Sequence, residues 1–241
     1  MAPTGFFAVV GSGNVVSESR EARDFDQITL FGVGTVTVTQ TGEESLTIEA
    51  EDNILPLLTS EVRERELVLG VQHGANISPR ARIHFIVTVD SLRGLRVSGA
   101  GNIEVARLTT DTLRLAISGT GNLTAPEVAT ESLQVDISGA GNIDLKRLSA
   151  NEVEATLSGT GSVTLVGHAT RQEISLSGAG SYEAAEFASE QARVKVSGVG
   201  SARVNVGQRL DAKISGIGSI YYTGQPQITR SVSGLGSIRP L

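Results

Sequence analysis

A five-residue pattern, Ser-Gly-X-Gly followed by Asn or Ser, recurs eight times, starting at Ser98, Ser118, Ser138, Ser158, Ser177, Ser197, Ser215 and Ser233. Successive copies lie 20, 20, 20, 19, 20, 18 and 18 residues apart. A period of this length belongs to solenoids, in which each repeat hides its apolar face only by stacking on its neighbours. Apolar residues alternate on both sides of each copy, as in Leu115 and Ile117 before one and Leu123 and Ala125 after it. Alternation with a period of two is that of a strand with one buried face. A helix is the poorer reading, because each glycine would cost about 1 kcal/mol there and no stripe of helical period is present. The expected fold is all-β: a right-handed parallel β-helix (β-solenoid) with coils of 18–20 residues and a broadened, partly antiparallel N-terminal region.

The pattern sets two glycines and one polar residue at every turn: Gly99, Gly101 and Asn102; Gly119, Gly121 and Asn122; Gly139, Gly141 and Asn142; Gly159, Gly161 and Ser162; Gly178, Gly180 and Ser181; Gly198, Gly200 and Ser201; Gly216, Gly218 and Ser219; Gly234, Gly236 and Ser237. Glycine suits a turn that needs either a positive φ or close contact with the next rung. Stacked Asn and Ser side chains can form a hydrogen-bonded ladder. Asn gives way to Ser roughly where the coil shortens, as expected if this bend tightens.

The middle residue runs Ala100, Thr120, Ala140, Thr160, Ala179, Val199, Ile217, Leu235. Facing inward, the larger residues would fill the bend, and this is the favoured expectation. Facing outward, Val199, Ile217 and Leu235 would form an apolar stripe suited to a partner. Together with Ile220 and Ile238 they are the candidate interface for stacking copies end to end, since the sequence stops inside a rung.

The chain is expected to be one continuous structural domain in two parts, an N-terminal β region with a hairpin, 1–92, that starts and covers the solenoid, and regular repeats over 93–241. Gly11-Ser12-Gly13-Asn14-Val15 and Gly32-Val33-Gly34-Thr35-Val36 are fainter echoes of the turn. Thr35–Thr39 and Leu46–Ala50, separated by Thr41-Gly42-Glu43-Glu44, predict a hairpin. Asp52-Asn53 ahead of Ile54-Leu55-Pro56 predicts a capped helical turn, and strands follow at Glu66–Val71 and Ile83–Val89.

Composition narrows the chemistry. With 20 Lys+Arg against 26 Asp+Glu the net charge is −6, no local basic patch is apparent, and nucleic acid is not an expected partner. The absence of cysteine excludes disulfides, thiolate zinc sites and a cysteine nucleophile. No run approaches the ~20 apolar residues of a membrane span, so direct membrane insertion is not expected. The start, Met1 to Val10, is too short and lacks the basic leader of a signal peptide.

A dinucleotide fingerprint needs its glycines to open a helix, whereas each copy here opens a strand. Calcium solenoids place Asp after the glycines, where this chain has Asn or Ser. His73, His84 and His168 lack ligand spacing, and the turn serines are too many and too alike to be nucleophiles. Glu104 and Asp144, two rungs and about 9.6 Å apart, are the nearest approach to a glycosidase pair, with solvated surface charge the better account. No cofactor, metal site or catalytic residue is expected.

Val10-Gly11-Ser12-Gly13-Asn14-Val15, the strand start Phe25-Asp26-Gln27-Ile28 and the repeated Ser-Gly-Ala-Gly-Asn-Ile at Ser98 to Ile103 and Ser138 to Ile143 resemble the head GIN domain family. Its members are described as putative auto-transporter adhesins, and the resemblance covers nearly the whole chain. It implies a right-handed β-helix, export to the cell surface, often lipoprotein-like anchoring through an N-terminal cysteine, and no catalytic residues. This sequence departs from that pattern in carrying no cysteine. The expected function is a non-enzymatic adhesive module with a glycan or protein ligand. The alternatives are a self-assembling subunit forming dimers or filaments through its solenoid ends, and a polysaccharide-binding or polysaccharide-active β-helix protein.

Overall fold

The computed structural model describes residues 8–241, of which Met1–Phe7 at the start of the chain form no part. Strand accounts for 68% of the chain, and the coils stack into a β-solenoid of about seven turns. The described residues contain no α-helix, only a 3-10 turn at Leu55–Leu57.

Each rung contributes to three parallel sheets. Strands preceding the glycine turn form the first, with Leu95 beside Leu115, Leu115 beside Val135 and Val135 beside Ala155. Strands following it form the second, where Asn102, Asn122, Asn142, Ser162, Ser181, Ser201, Ser219 and Ser237 stay in register along the solenoid. Return segments form the third, with Leu108 beside Val128 and Val128 beside Leu148.

Inward residues of one rung stack on those of the next. Ile103, Leu123, Ile143, Val163, Tyr182, Ala202 and Ile220 form one such row, each fully buried. Burial of an aliphatic side chain contributes about 1.5–3 kcal/mol, so every added rung is stabilised by its neighbours' apolar faces. Ile220 lies in this row, directly under Ile238, because its place in the alternation is inward; it is thereby removed from the candidate interface.

Rungs differ in length, but not at the glycine turn. The register shifts where the second sheet bends into the third: Thr164 faces Glu183 but Gly167 faces Phe187, and Ala184 faces Val204 but Ala188 faces Asn205. The expected tightening of the glycine bend is therefore misplaced; the opposite corner absorbs the missing residues.

The echo at Gly32-Val33-Gly34 is a true turn, in register with Gly99-Ala100-Gly101. Gln27–Leu30 and Val33–Gln40 thus form the opening rung, and Gly94–Val97 pairs directly with the first of them, so the ladder continues across residue 92. The echo at Gly11 to Val15 is not a rung. It is a loop held by Glu51, Asp52 and Asn53, leading into a strand antiparallel to Ser45–Glu51. Asp52 and Asn53 are spent there, and the 3-10 turn after them has no side-chain cap.

The expected hairpin does not form. Val33–Gln40 and Ser45–Glu51 are both strands, but His84–Val89 lies between them, parallel to the former and antiparallel to the latter. As a solenoid strand, Val33–Gln40 already pairs with Ala100–Val105 on one edge and takes His84–Val89 on the other. The hairpin is instead Leu58–Arg63 with Glu66–Val71, closed by Glu64 and Arg65 at φ +50° and +65°. Two left-handed residues match the twist of paired strands, but glycine or asparagine is the usual sign of that turn and neither is present. Asp26 ties the turn down, accepting from Arg65 Nε at 2.9 Å and Arg93 Nε at 2.8 Å. Burial alone would push its carboxyl up; the two guanidinium groups outweigh that and hold it below the ordinary aspartate value.

Candidate functional site

The glycine turns are the most regular surface feature, and close approach explains them. None of the sixteen turn glycines has a positive φ. A Cβ on any of them would fall inside 3.0 Å of an atom of the preceding rung, as at Gly139, 2.7 Å from the Ser118 carbonyl oxygen. Beside them runs the polar ladder. Asn122 Nδ2 donates to Asn102 Oδ1 at 3.0 Å, Asn142 Nδ2 to Asn122 Oδ1 at 2.9 Å, and Ser162 Oγ to Asn142 Oδ1 at 2.6 Å. Ser219 and Ser237 hydroxyls meet at 3.3 Å.

The residue between the glycines points outward in every rung, contrary to the favoured expectation, because the two close-packed glycines turn its side chain away from the core. Val199, Ile217 and Leu235 are 60%, 62% and 87% exposed and line one edge of the last rungs, with Ile238 half-buried nearby.

Glu104 and Asp144 share one outward row of the second sheet, separated by Thr124. Asp144 is engaged by Lys146 Nζ at 2.7 Å. His73 and His168 lie apart from His84, and among the described residues no group of three or more His, Cys, Asp or Glu could hold a metal ion.

A cleft of ≈ 630 Å³ opens where the N-terminal strands meet the first regular rung. Within it His84 Nε2 lies 2.8 Å from Thr37 Oγ1, and His84 Nδ1 lies 3.5 Å from Glu49 Oε2. Hydroxyl, imidazole and carboxylate in this order have the connectivity of a nucleophile, base and orienting acid. The surroundings oppose that chemistry. The strand of Thr37 is paired on both edges, which commits its N–H groups to the ladders instead of an oxyanion. Glu104 stands beside Thr37 in register and would repel developing negative charge. Sequence reading missed this cluster because it needs His84–Val89 inserted between strands that looked like a hairpin.

A basic face was missed as well. Arg171, Arg193, Lys195, Arg209 and Lys213 all project from the first sheet over three successive rungs. They come from three different repeats, so only alignment of the repeats to one another could have gathered them.

No helix among the described residues is long and apolar enough to cross a membrane. A family model for the head GIN domain, putative auto-transporter adhesin, matches residues 24–226. A solved putative adhesin from Parabacteroides distasonis shares 26% identity, covering 98% of this chain and 100% of that one, with a TM-score of 0.89. A putative adhesin from Parabacteroides merdae shares 24% identity over 97% of this chain and 99% of that chain, at a TM-score of 0.88. A putative lipid binding protein from Parabacteroides distasonis shares 23% identity over 98% and 100% of the two chains, at 0.90. No curated protein matches the chain.

Proposed function

Because the chain belongs to the head GIN domain family of putative auto-transporter adhesins, we propose that it is a non-catalytic adhesive module working at the cell surface. The observation that carries this reading is the register of the outer faces. Hydrogen-bonding and charged side chains repeat at each rung on a backbone whose donors and acceptors are already paired between neighbours. Such a face presents many equivalent weak contacts without rearranging, which favours multivalent attachment to an extended ligand, a glycan or a protein. Beads coated with the protein are expected to be retained on at least one of a panel of immobilised polysaccharides and matrix proteins, with no reducing ends released. Retention on none would overturn the adhesive reading; release of reducing ends would make the protein an enzyme.

A second reading, self-association of copies of the chain, is favoured by an exposed apolar edge: Val199, Ile217 and Leu235 stand on successive rungs, each more than half exposed. Light scattering over a concentration series is expected to show growth beyond the 25.1 kDa monomer, abolished by Leu235→Lys with Ile217→Lys. A constant monomer mass, or growth unchanged by those substitutions, would refute it.

A further inference from the structure

The basic face carries a groove of ≈ 570 Å³ running along the solenoid axis, with Arg171 and Gln191 among its lining residues. One wall is the register row Arg171, Gln191, Arg209, Gln227, one residue per rung. The other is Glu173, Arg193, Asp211, Thr229. The two acids are already engaged: Glu173 lies 3.2 Å from Lys195 Nζ, and Asp211 lies 3.4 Å from Arg193 Nε. Arg209 has no ion-pair partner among the described residues, and Arg171 has only a 3.4 Å contact to Glu152. On a chain of net charge −6, this is a local surplus of cations aimed at one groove.

Spacing within the first wall selects among anions. Guanidinium groups recur every second rung, about 9.6 Å apart, with an amide midway. One rung, about 4.8 Å, is close to the advance of one pyranose unit in a linear polysaccharide. We propose that this groove binds a linear acidic polysaccharide laid along the solenoid axis, its carboxylates recurring on every second sugar. The carboxylates meet Arg171 and Arg209, whose planar donors suit them. Gln191 and Gln227 hydrogen-bond the sugars between. The groove lines up no aromatic ring on which a nucleobase could stack, and its apolar lining side chains, Ala192 and Ile228, are buried and half-buried and too few to enter a lipid surface. Toward the N-terminal end of the same sheet, Glu152 and Glu154 repel an anion and limit the contact to the last rungs.

This inference rests on the adhesive reading and names its ligand class. Hyaluronan oligosaccharides, which carry a carboxylate on alternate sugars, are the probe, with dextran as neutral control and duplex DNA as a competing polyanion. Calorimetry or fluorescence titration is expected to show hyaluronan binding that weakens as salt rises, and no binding of dextran. Arg171→Gln with Arg209→Gln is expected to weaken it at least about tenfold. Arg107→Gln with Arg147→Gln removes the same charge from a pair engaged with Glu127 and is expected to change it less than about twofold. All four arginines are exposed, so unchanged thermal melting will show that the variants fold. No hyaluronan binding at low salt, equal losses in the two double variants, or tighter binding of DNA would each overturn the proposal. Bead retention that survives Arg171→Gln with Arg209→Gln would refute the groove and leave the adhesive reading standing; retention of no beads would refute the latter.

Discussion

Gly139→Val is expected to prevent the central rungs from stacking, and Gly139→Ala to cost about 4 kcal/mol or more, among the largest losses a single substitution produces. The added carbon has nowhere to go. It would lie against the carbonyl oxygens of Gly119 and Ser118, which are backbone and cannot swing aside. Relief requires the rungs to part, and that breaks the bonds on either side: Ala140 N to Gly119 O at 3.0 Å and Thr160 N to Gly139 O at 3.1 Å. In a fold stabilised by nearest-neighbour contacts, one parted interface also uncouples everything beyond it. Urea unfolding followed by circular dichroism is expected to show either a large loss of stability or two separate transitions. Ala140→Val, one residue away and pointing outward, is expected to stay within about 0.5 kcal/mol of the wild type. Equal tolerance at the two positions would mean that close approach is not what these turns require.

The second large effect is expected at Gln172, a fully buried amide among apolar side chains. It accepts from Tyr182 Oη at 3.0 Å and donates to Ser189 Oγ at 2.7 Å; Ser189 in turn donates to the Asn205 carbonyl at 3.1 Å. The network joins three successive rungs and satisfies each group in it. Burial pushes the Tyr182 hydroxyl far above the ordinary tyrosine value, so it stays a neutral donor. Gln172→Ala should cost about 3–4 kcal/mol, from the cavity and from an orphaned hydroxyl together. Gln172→Leu keeps the volume but leaves Tyr182 unpaired, at about 1–3 kcal/mol. Adding Tyr182→Phe to Gln172→Leu removes both partners and is expected to recover most of that loss in a double-mutant cycle. Strict additivity of the two substitutions would show that the hydrogen bond contributes nothing.

The repeat made the solenoid legible because period-two alternation and the spacing of the glycines report local geometry. The family was legible from the same residues. Orientation at the bend was not: alternation predicts sides within a strand, and Ala100 to Leu235 sit where the chain leaves one strand for another. Partner choice among the N-terminal strands was not legible either. Thr35–Thr39 and Leu46–Ala50 carry the right alternation for each other, yet which edge each presents is decided by His84–Val89, more than thirty residues further on. The turn at Glu64-Arg65 was hidden by its ordinary residue types. Of the surface features, the polar ladder followed from the motif itself, whereas the groove between Arg171 and Arg209 exists only once the rungs are superposed.

Keeping the length differences between rungs away from the glycine corner has a genetic consequence. A repeat array grows by duplication and then drifts, and a gained or lost codon would ordinarily throw every later repeat out of phase. Here the glycine corner acts as a fixed origin for each new turn. A deletion near Ala184–Ala188 is absorbed before the next origin is reached, so Ser201 and Ser219 still stand in line with Asn102. One edge of the molecule keeps count while the other is free to vary, and new surface can be tried there without resetting the rest.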